Sequence, residues 1–379
     1  MRKKKSILSV MLTIMILLAT AIPGVKAQWI NDTDAVKNTI NKYFTNEFES
    51  IKTQKVMDSK DIIMDNEFRN YTNLKNKHMA EWYSKVNEKL ISYNFIVNYK
   101  SIDFNSDECI VTLTRDSEMT FDYAPAISQK TANVEYVVVL KKYDNKWYIE
   151  KVLNEEDGTP NKNDIKKKDY IKNKYVLLNE NYKNIDKRAN EYKEFKKEIK
   201  QASSQDMVLI LAGDPGAGNV YNRQAAVSYA RDWALARNTS KYPNYSEDCT
   251  NFVSQCVYAG APVMNPARGW YASMSGGGLA WIQVLTFHDF ITTNSPNIGP
   301  WAYTVSKSSA QIGDVIQLWK KSYGNYNHSI IISSILSDGT ILYCGHTTDR
   351  LDASLSEVYA SGLYDISKTR FIHIYEYGK

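Results

Sequence analysis

The sequence predicts an α+β protein: two folded parts joined by a helical spacer. Three observations carry this. Residues 34–53 and 68–90 place apolar side chains at helical spacing, and the pattern then changes to runs of Val, Ile, Tyr and Thr between turn residues. Residues 160–200 carry a heptad-like stripe. Beyond residue 220, helices again precede strands, which are set off by Gly-Asp and Asp-Gly turns. A chain of 379 residues suits two domains better than one, and an apolar content of 43% supplies real cores and excludes wholesale disorder.

Residues 1–27 read as a secretory signal peptide. Arg2 to Lys5 form a basic start, residues 7–22 an apolar run, and Pro23-Gly24 a break. Val25-Lys26-Ala27 then places small residues where a signal peptidase reads, so cleavage after Ala27 is expected. The competing reading is an uncleaved anchor, for which the run is short of the roughly 20 residues a span needs. That anchor would be the one expected membrane contact, and the mature protein is expected to be secreted or cell-wall associated. This segment holds five bases and no acid, so it accounts for the whole formal charge of +5. The 42 bases that remain balance 42 acids, which gives no reason to expect a nucleic-acid partner.

Residues 28–158 form the first folded part. Val36, Ile40, Tyr43, Phe44, Phe48 and Ile51 make one helical stripe; Tyr71, Leu74, Trp82 and Val86 make another. Strands follow at 95–104, 109–114, 134–143 and 147–153, the last two joined by the Tyr143-Asp144-Asn145-Lys146 hairpin turn. His78 reads as a surface helix residue, and no acid/base constellation is visible, so a structural or recognition role is expected. Helices followed by a long antiparallel sheet resemble the cone-shaped NTF2-like domains.

Residues 159–200 are the spacer. Its stripe runs through Ile171, Tyr175, Leu178, Tyr182, Ile185, Ala189, Tyr192 and Ile199, with Lys196 interrupting it. Residues 160–200 hold 13 bases and 7 acids. Such a helix packs on a neighbour with a solvated basic face, dimerises, or meets anionic wall polymers or lipid headgroups. Residues 201–220 are a linker. Its run Gly213-Asp214-Pro215-Gly216-Ala217-Gly218 is not a phosphate loop, because Asn219-Val220 follows where Lys-Ser/Thr is needed.

The chemistry lies in residues 221–379. Ala225, Ala226, Tyr229, Ala230 and Trp233 mark a first helix. The stretch Asp248-Cys249-Thr250-Asn251-Phe252-Val253-Ser254-Gln255-Cys256 opens a second, with Phe252, Val253, Cys256 and Val257 as its buried face and Gly260 as its end. Cys249 then sits in the first turn, where free backbone N–H groups and the helix dipole favour a thiolate. Cys256 reads as a small core residue. Cys249 and Cys256 lie about 10.5 Å apart along such a helix, too far to pair. Cys256–Cys344 pairing stays open. Cys109 and the other three make no tight framework and no zinc pattern, so neither a metal nor a cofactor is expected.

A thiolate nucleophile needs a base. His288 falls in an amphipathic helix and His373 in the last strand. His328 opens the strand 329–336, just after the strand that begins at Gly313-Asp314, and Asp338-Gly339 turns the chain back toward His346. A His at a strand start opposite a Cys at a helix start is a papain-like arrangement.

These residues carry a resemblance. Tyr221-Asn222-Arg223-Gln224-Ala225-Ala226-Val227, the Asp248–Cys256 run, Gly313-Asp314-Val315-Ile316-Gln317 and Asn327-His328-Ser329 resemble the family named "Putative amidase domain", an NlpC/P60-like branch of the papain-like superfamily. The resemblance spans residues 221–379. It implies that Cys249 is the nucleophile and His328 the base, and that the reaction is amide hydrolysis, commonly of cell-wall peptides. The third residue has two candidates. A two-residue Asp338-Gly339 turn would set Asp349 opposite His328 and His346 opposite Ile331. The NlpC/P60 resemblance, with a bulge, instead implies His346 as the orienter; a backbone or other group is a further option. The oxyanion would meet the Cys249 N–H and a donor from Asn244, Tyr245 or Ser246. Residues 268–278 read as a mobile loop in which Trp270 and Tyr271, with Trp281, either wall a substrate groove or simply pack. Three functions fit: an exported thiol amidase or peptidase, a non-catalytic wall- or protein-binding module on the same fold, and an acyltransferase using the same Cys.

Overall fold

The structure is a computed structural model that describes residues 23–154, 170–205, 218–295 and 297–378. Most of the expected signal peptide, the start of the spacer and most of the linker lie outside these residues. Among the described residues no helix is long and apolar enough to cross a membrane.

The first part opens with helix α1 (Pro23–Thr53), which starts before the expected cleavage position and eleven residues ahead of the predicted stripe. Helix α2 (Asn66–Lys85) follows, capped by Asp65, whose carboxylate accepts the Phe68 N–H at 2.7 Å. Strands β1 (Leu90–Asn105), β2 (Glu108–Phe121), β3 (Gln129–Tyr143) and β4 (Lys146–Asn154) form an antiparallel meander. Asp144 and Asn145 both take positive φ (47° and 62°), as the predicted hairpin turn requires. Phe44, Phe68, Val111, Tyr136 and Trp147 close a core between α1 and the sheet.

The spacer is two helices, α3 (Tyr170–Lys183) and α4 (Ile185–Gln205). Beyond it come β5 (Asn219–Val220), α5 (Arg223–Trp233), α6 (Cys249–Gly260), the two-residue strands β6 (Ala272–Ser273) and β7 (Gly276–Gly277), α7 (Leu279–Ile282) and α8 (Val284–Thr293). Strands β8 (Gly299–Val305), β9 (Val315–Lys320), β10 (Asn325–Ile335), β11 (Ile341–Gly345) and β12 (Asp349–Ser354) lead to α9 (Leu355–Ala360) and β13 (Arg370–Gly378).

The two parts share one sheet. Its order is β1-β2-β3-β12-β11-β10-β9-β13-β5, with β4 on β3 and β8 on β13. The joint is β3 with β12, through Ala132 opposite Asp349, Thr131 opposite Arg350 and Lys130 opposite Leu351. Helix α4 seals the same joint. Ile185, Ala189, Tyr192, Phe195 and Ile199 pack with Trp82 and Tyr83 of α2 and with Ile316, Leu318, Tyr359 and Phe371. The second half of the heptad-like stripe is therefore consumed within the chain, whereas Tyr175 of its first half is exposed. Lys196, the residue that breaks it, reaches Glu88 at 3.3 Å and Asp338 at 2.8 Å, so it ties the start of β1 to the β10–β11 turn.

His78 is a correction. It is 2% exposed, and its Nε2 donates to the Ala360 carbonyl at 2.7 Å, because α9 covers that face of α2. Burial pushes its pKa down to about 4. Trp270 and Trp281 are corrections too. Both are fully buried, 4.8 Å apart between ring centroids, in the core under α6, so neither walls a groove. Tyr271 alone of the three is exposed. The 268–278 segment is tied by the β6–β7 ladder and by paired bonds between Asn265 and Trp270.

Candidate active site

Helix α6 begins at Cys249, as the sequence predicts, and lies against β10. The contact is polar at its start: the Thr250 and Ser329 hydroxyls sit 3.2 Å apart. The Cys249 sulfur lies 3.7 Å from the Thr250 hydroxyl, and it also receives the Ser329 and Thr250 N–H groups and the Thr347 hydroxyl. Burial is the larger influence, and it pushes the thiol up rather than down. The expectation of a thiolate from helix position alone is corrected: four hydrogen bonds oppose the desolvation without overcoming it. All four cysteines are free, Cys256 and Cys344 included.

His328 stands on the other face of the sheet. Ser329 points its hydroxyl at α6, and strand neighbours alternate, so His328 shares a face with its cross-strand partner Leu318 and lies 6.4 Å from the Tyr364 ring. Burial, with Lys320 and Arg350 nearby, pushes its pKa down to about 4, so at neutral pH the ring is uncharged. Among the described residues neither of its nitrogens is hydrogen-bonded, to Cys249 or to any other group. The two residues meet the same space, however. One cavity of about 850 Å³ is lined by Cys249, His328, Asn327, Tyr245, Thr347 and Asp349, and by Asn133 and Glu135 of β3. It occupies the place where β11 stops short: β10 pairs with β11 from Ile331 to Ile335 and no further toward His328.

The register explains the third position. Ile331 lies opposite Cys344 rather than His346, and Asp349 is not opposite His328: the turn holds three residues, Ser337 to Gly339, instead of two, and Ser333 is bulged out of the β10–β11 ladder, each moving the register by one. His346 lies in the β11–β12 turn, 1% exposed, and both ring nitrogens are engaged. Nδ1 is 2.6 Å from Asp248 Oδ2, and Nε2 is 2.9 Å from the Trp233 carbonyl. Neither bond goes to His328. The partners are the Trp233 carbonyl and the Asp248 carboxyl group, so the ring is fixed at both nitrogens. Asp248 also accepts from Asn251 at 2.7 Å and from the Tyr245 N–H at 3.3 Å, and Arg237 is 3.4 Å away. His346 thus bridges the C-terminal end of α5 and the N-terminal end of α6, and the next residue, Thr347, with φ of 85°, places its hydroxyl on the sulfur. Asp349 is held by Arg237 at 2.7 Å and by Asn133 at 3.3 Å.

Asp248 and Asn327 stood inside the quoted motif runs without a role, and Thr347 escaped the sequence reading. Asp248 had a signal, an acid directly before the helix-start Cys; Thr347 had none. The Tyr221-Asn222-Arg223 and Gly313-Asp314 motifs come together as scaffold. Arg223 is 2.5 Å from Asp314, Tyr221 donates to the Gly313 carbonyl at 3.1 Å, and His373 lies 3.1 Å from Asp314. His288 lies 3.1 Å from the Thr304 hydroxyl. Among the described residues no group of three or more His, Cys, Asp or Glu is placed to hold a metal ion.

Residues 220–375 match the family model described as "Putative amidase domain", whose description points to amide hydrolysis. The match touches nothing before residue 220. A curated relative, the uncharacterized protein YhbB of Bacillus subtilis (strain 168), is 30% identical over 116 residues, 30% of this chain and 37% of the relative. The chain therefore spans little more than a third of that relative. No solved structure matches.

Proposed function

We propose that the protein is an exported cysteine amidase or peptidase of the papain-like, NlpC/P60-like kind, acting on peptides of the cell wall. The observation that carries this is one cavity lined by a helix-start thiol and by an uncharged histidine that has no hydrogen-bond partner among the described residues. The match to an amidase-domain model over the same residues supports it.

In this reading His328 takes the Cys249 proton as the sulfur attacks the amide carbonyl carbon. The tetrahedral oxyanion meets the Cys249 N–H, which has no helical partner at the first turn, and the Tyr245 hydroxyl. That hydroxyl accepts the Gly277 N–H at 3.0 Å, so its own hydrogen is free to donate into the cavity. Collapse breaks the C–N bond, and His328 returns the proton to the leaving amine. Water, deprotonated by His328, then hydrolyses the thioester and restores the thiol. The raised thiol and the lowered imidazole define a resting state of two neutral groups, so the proton moves only when substrate is bound. His346 serves the nucleophile's helix through Asp248 rather than the base.

Cys249→Ala should abolish release of new peptides from wall digests, read by mass spectrometry of muropeptides, and abolish iodoacetamide labelling at that site. Full turnover in this variant removes the assignment. The missing Cys249–His328 hydrogen bond is the observation that favours a non-catalytic binding module; unchanged muropeptides with wild-type protein would select that reading. Amine-dependent products would select acyl transfer.

A further inference from the structure

The charges that line the cavity do not all cancel. Arg237 is matched to Asp349 at 2.7 Å, Arg350 to Glu357 at 3.0 Å, and Glu135 to Lys100 at 2.8 Å. Two lining charges have no ion-pair partner among the described residues: Glu247, just before α6, and Lys320, at the end of β9. Glu247 is exposed, and water solvates a bare charge there at little cost. Lys320 is half-buried, and an ammonium held partly away from bulk water favours an anion beside it. Its place in the strand sets what that anion would meet. Strand neighbours alternate, so Lys320 shares a face with Leu318, and Leu318 lies opposite His328. Two residues along a strand span roughly 6.5–7 Å, the length of a short amino-acid unit. The ammonium lies 4.9 Å from the ring centroid of Tyr323, which is exposed and lines the same cavity. After burial, Lys320 is the next influence that lowers the His328 pKa, so ammonium and ring lie within electrostatic reach of each other. His328 is the group that returns a proton to the leaving amine. Lys320, one strand step away on the same face, therefore faces the leaving fragment rather than the acyl fragment.

We propose that Lys320 is a specificity-determining residue: its ammonium binds a carboxylate carried by the leaving fragment, close to the amine that His328 protonates. This rests on the reading of Cys249 as nucleophile and His328 as base. It narrows the substrate to a peptide with a free carboxylate next to the bond that is cut, on the side that leaves as the amine.

The test uses a matched pair of thiol-directed probes on the full chain, N-chloroacetylglycine and N-chloroacetylglycinamide. With either, the Cys249 sulfur displaces chloride from the CH2 carbon, and the glycine unit stands in for the leaving fragment. One probe ends in a carboxylate and the other in a neutral amide. Each rate is divided by the same probe's rate with N-acetylcysteine. Wild-type protein should favour the carboxylate probe by about tenfold, through a lower half-saturating concentration, the worth of one hydrogen bond between charged groups. Lys320→Met should bring that ratio to within about twofold of unity, and Lys320→Arg, which keeps the cation, should retain it. Glu247→Gln changes the cavity's charge by the same one unit and should leave the ratio within about twofold of wild type. A wild-type ratio near one, an undiminished ratio in Lys320→Met, or loss of the ratio in Lys320→Arg overturns the proposal. A rise in Glu247→Gln as large as the fall in Lys320→Met also overturns it, because a diffuse field rather than a site would then set the preference. Failure of iodoacetamide to label Cys249 overturns the nucleophile reading instead. In that case, N-acetylglycine and N-acetylglycinamide, titrated by NMR, still decide Lys320: equal binding rejects it.

Discussion

Replacing His346 by Ala removes one end of a fully buried hydrogen-bonded pair. The side chain is 1% exposed and its partner Asp248 is 0% exposed. Leaving a buried polar group without one of its partners costs about 1–3 kcal/mol, and more where a group is charged. Asp248 keeps donors from Asn251 at 2.7 Å and Tyr245 at 3.3 Å, which pulls the figure toward the lower end. Two losses push it back: the bond to the Trp233 carbonyl at the end of α5, and the ring's stack on Phe252 at 3.9 Å. The expected destabilisation is therefore about 2–4 kcal/mol. The assay is urea unfolding of the whole chain followed by tryptophan fluorescence. It is paired with Asp248→Asn and the double variant, for which a coupling energy above about 1.5 kcal/mol is expected. A His346→Ala variant within about 0.5 kcal/mol of wild type, or additive single effects, would refute the reasoning from this buried pair.

Four more outcomes follow from the geometry. The acid limb of kcat/KM should fall near pH 4 rather than 6.5, since His328 loses its basicity only on protonation there; a limb near 6.5 would mean that another group is the base. His78 and His328 are held neutral with pKa values near 4, below the unfolded value of about 6.5. Their stability is thus fully present above pH 6.5 and is lost as pH falls through that window to about 4; His78→Gln should flatten this dependence in pH-resolved unfolding. Gly339→Ala would put its Cβ 2.0 Å from the Lys196 carbonyl at a φ of 88°, so thermal melts should show a drop of several degrees, and an unchanged melt would mean that the β10–β11 turn does not press on α4. Trp270→Ala should cost about 3–5 kcal/mol of stability with KM unaltered; a change confined to KM would return that ring to the groove.

Local chemistry was legible in the sequence, and distant partners were not. Asp248, the apolar face of Phe252, Val253, Cys256 and Val257, and Gly260 define α6 from within thirteen residues, so Cys249 was placed at its first turn. The Asp144-Asn145 turn was legible for the same reason. His78 was misplaced because the residue that buries it, Ala360, is 282 positions away. Trp270 and Trp281 look alike in a groove or a core until the neighbouring helices are in place. The strand register before His346 depended on a three-residue turn at Ser337 to Gly339 and a bulge at Ser333, and a one-residue shift carries no composition signal. The Lys196 break was visible as an anomaly; its cause, two acids from two other segments, was not.

The β3–β12 joint bears on how this chain divides. The family match begins at residue 220, but the polypeptide does not come apart there. A fragment cut at that boundary would carry β12 as a bare edge and would uncover the faces of Ile316, Leu318 and Tyr359 that α4 and α2 cover. Bare edges beside apolar surface template aggregation. A truncation meant to isolate the amidase-like segment would therefore yield a self-associating species, and its inactivity would say nothing about Cys249.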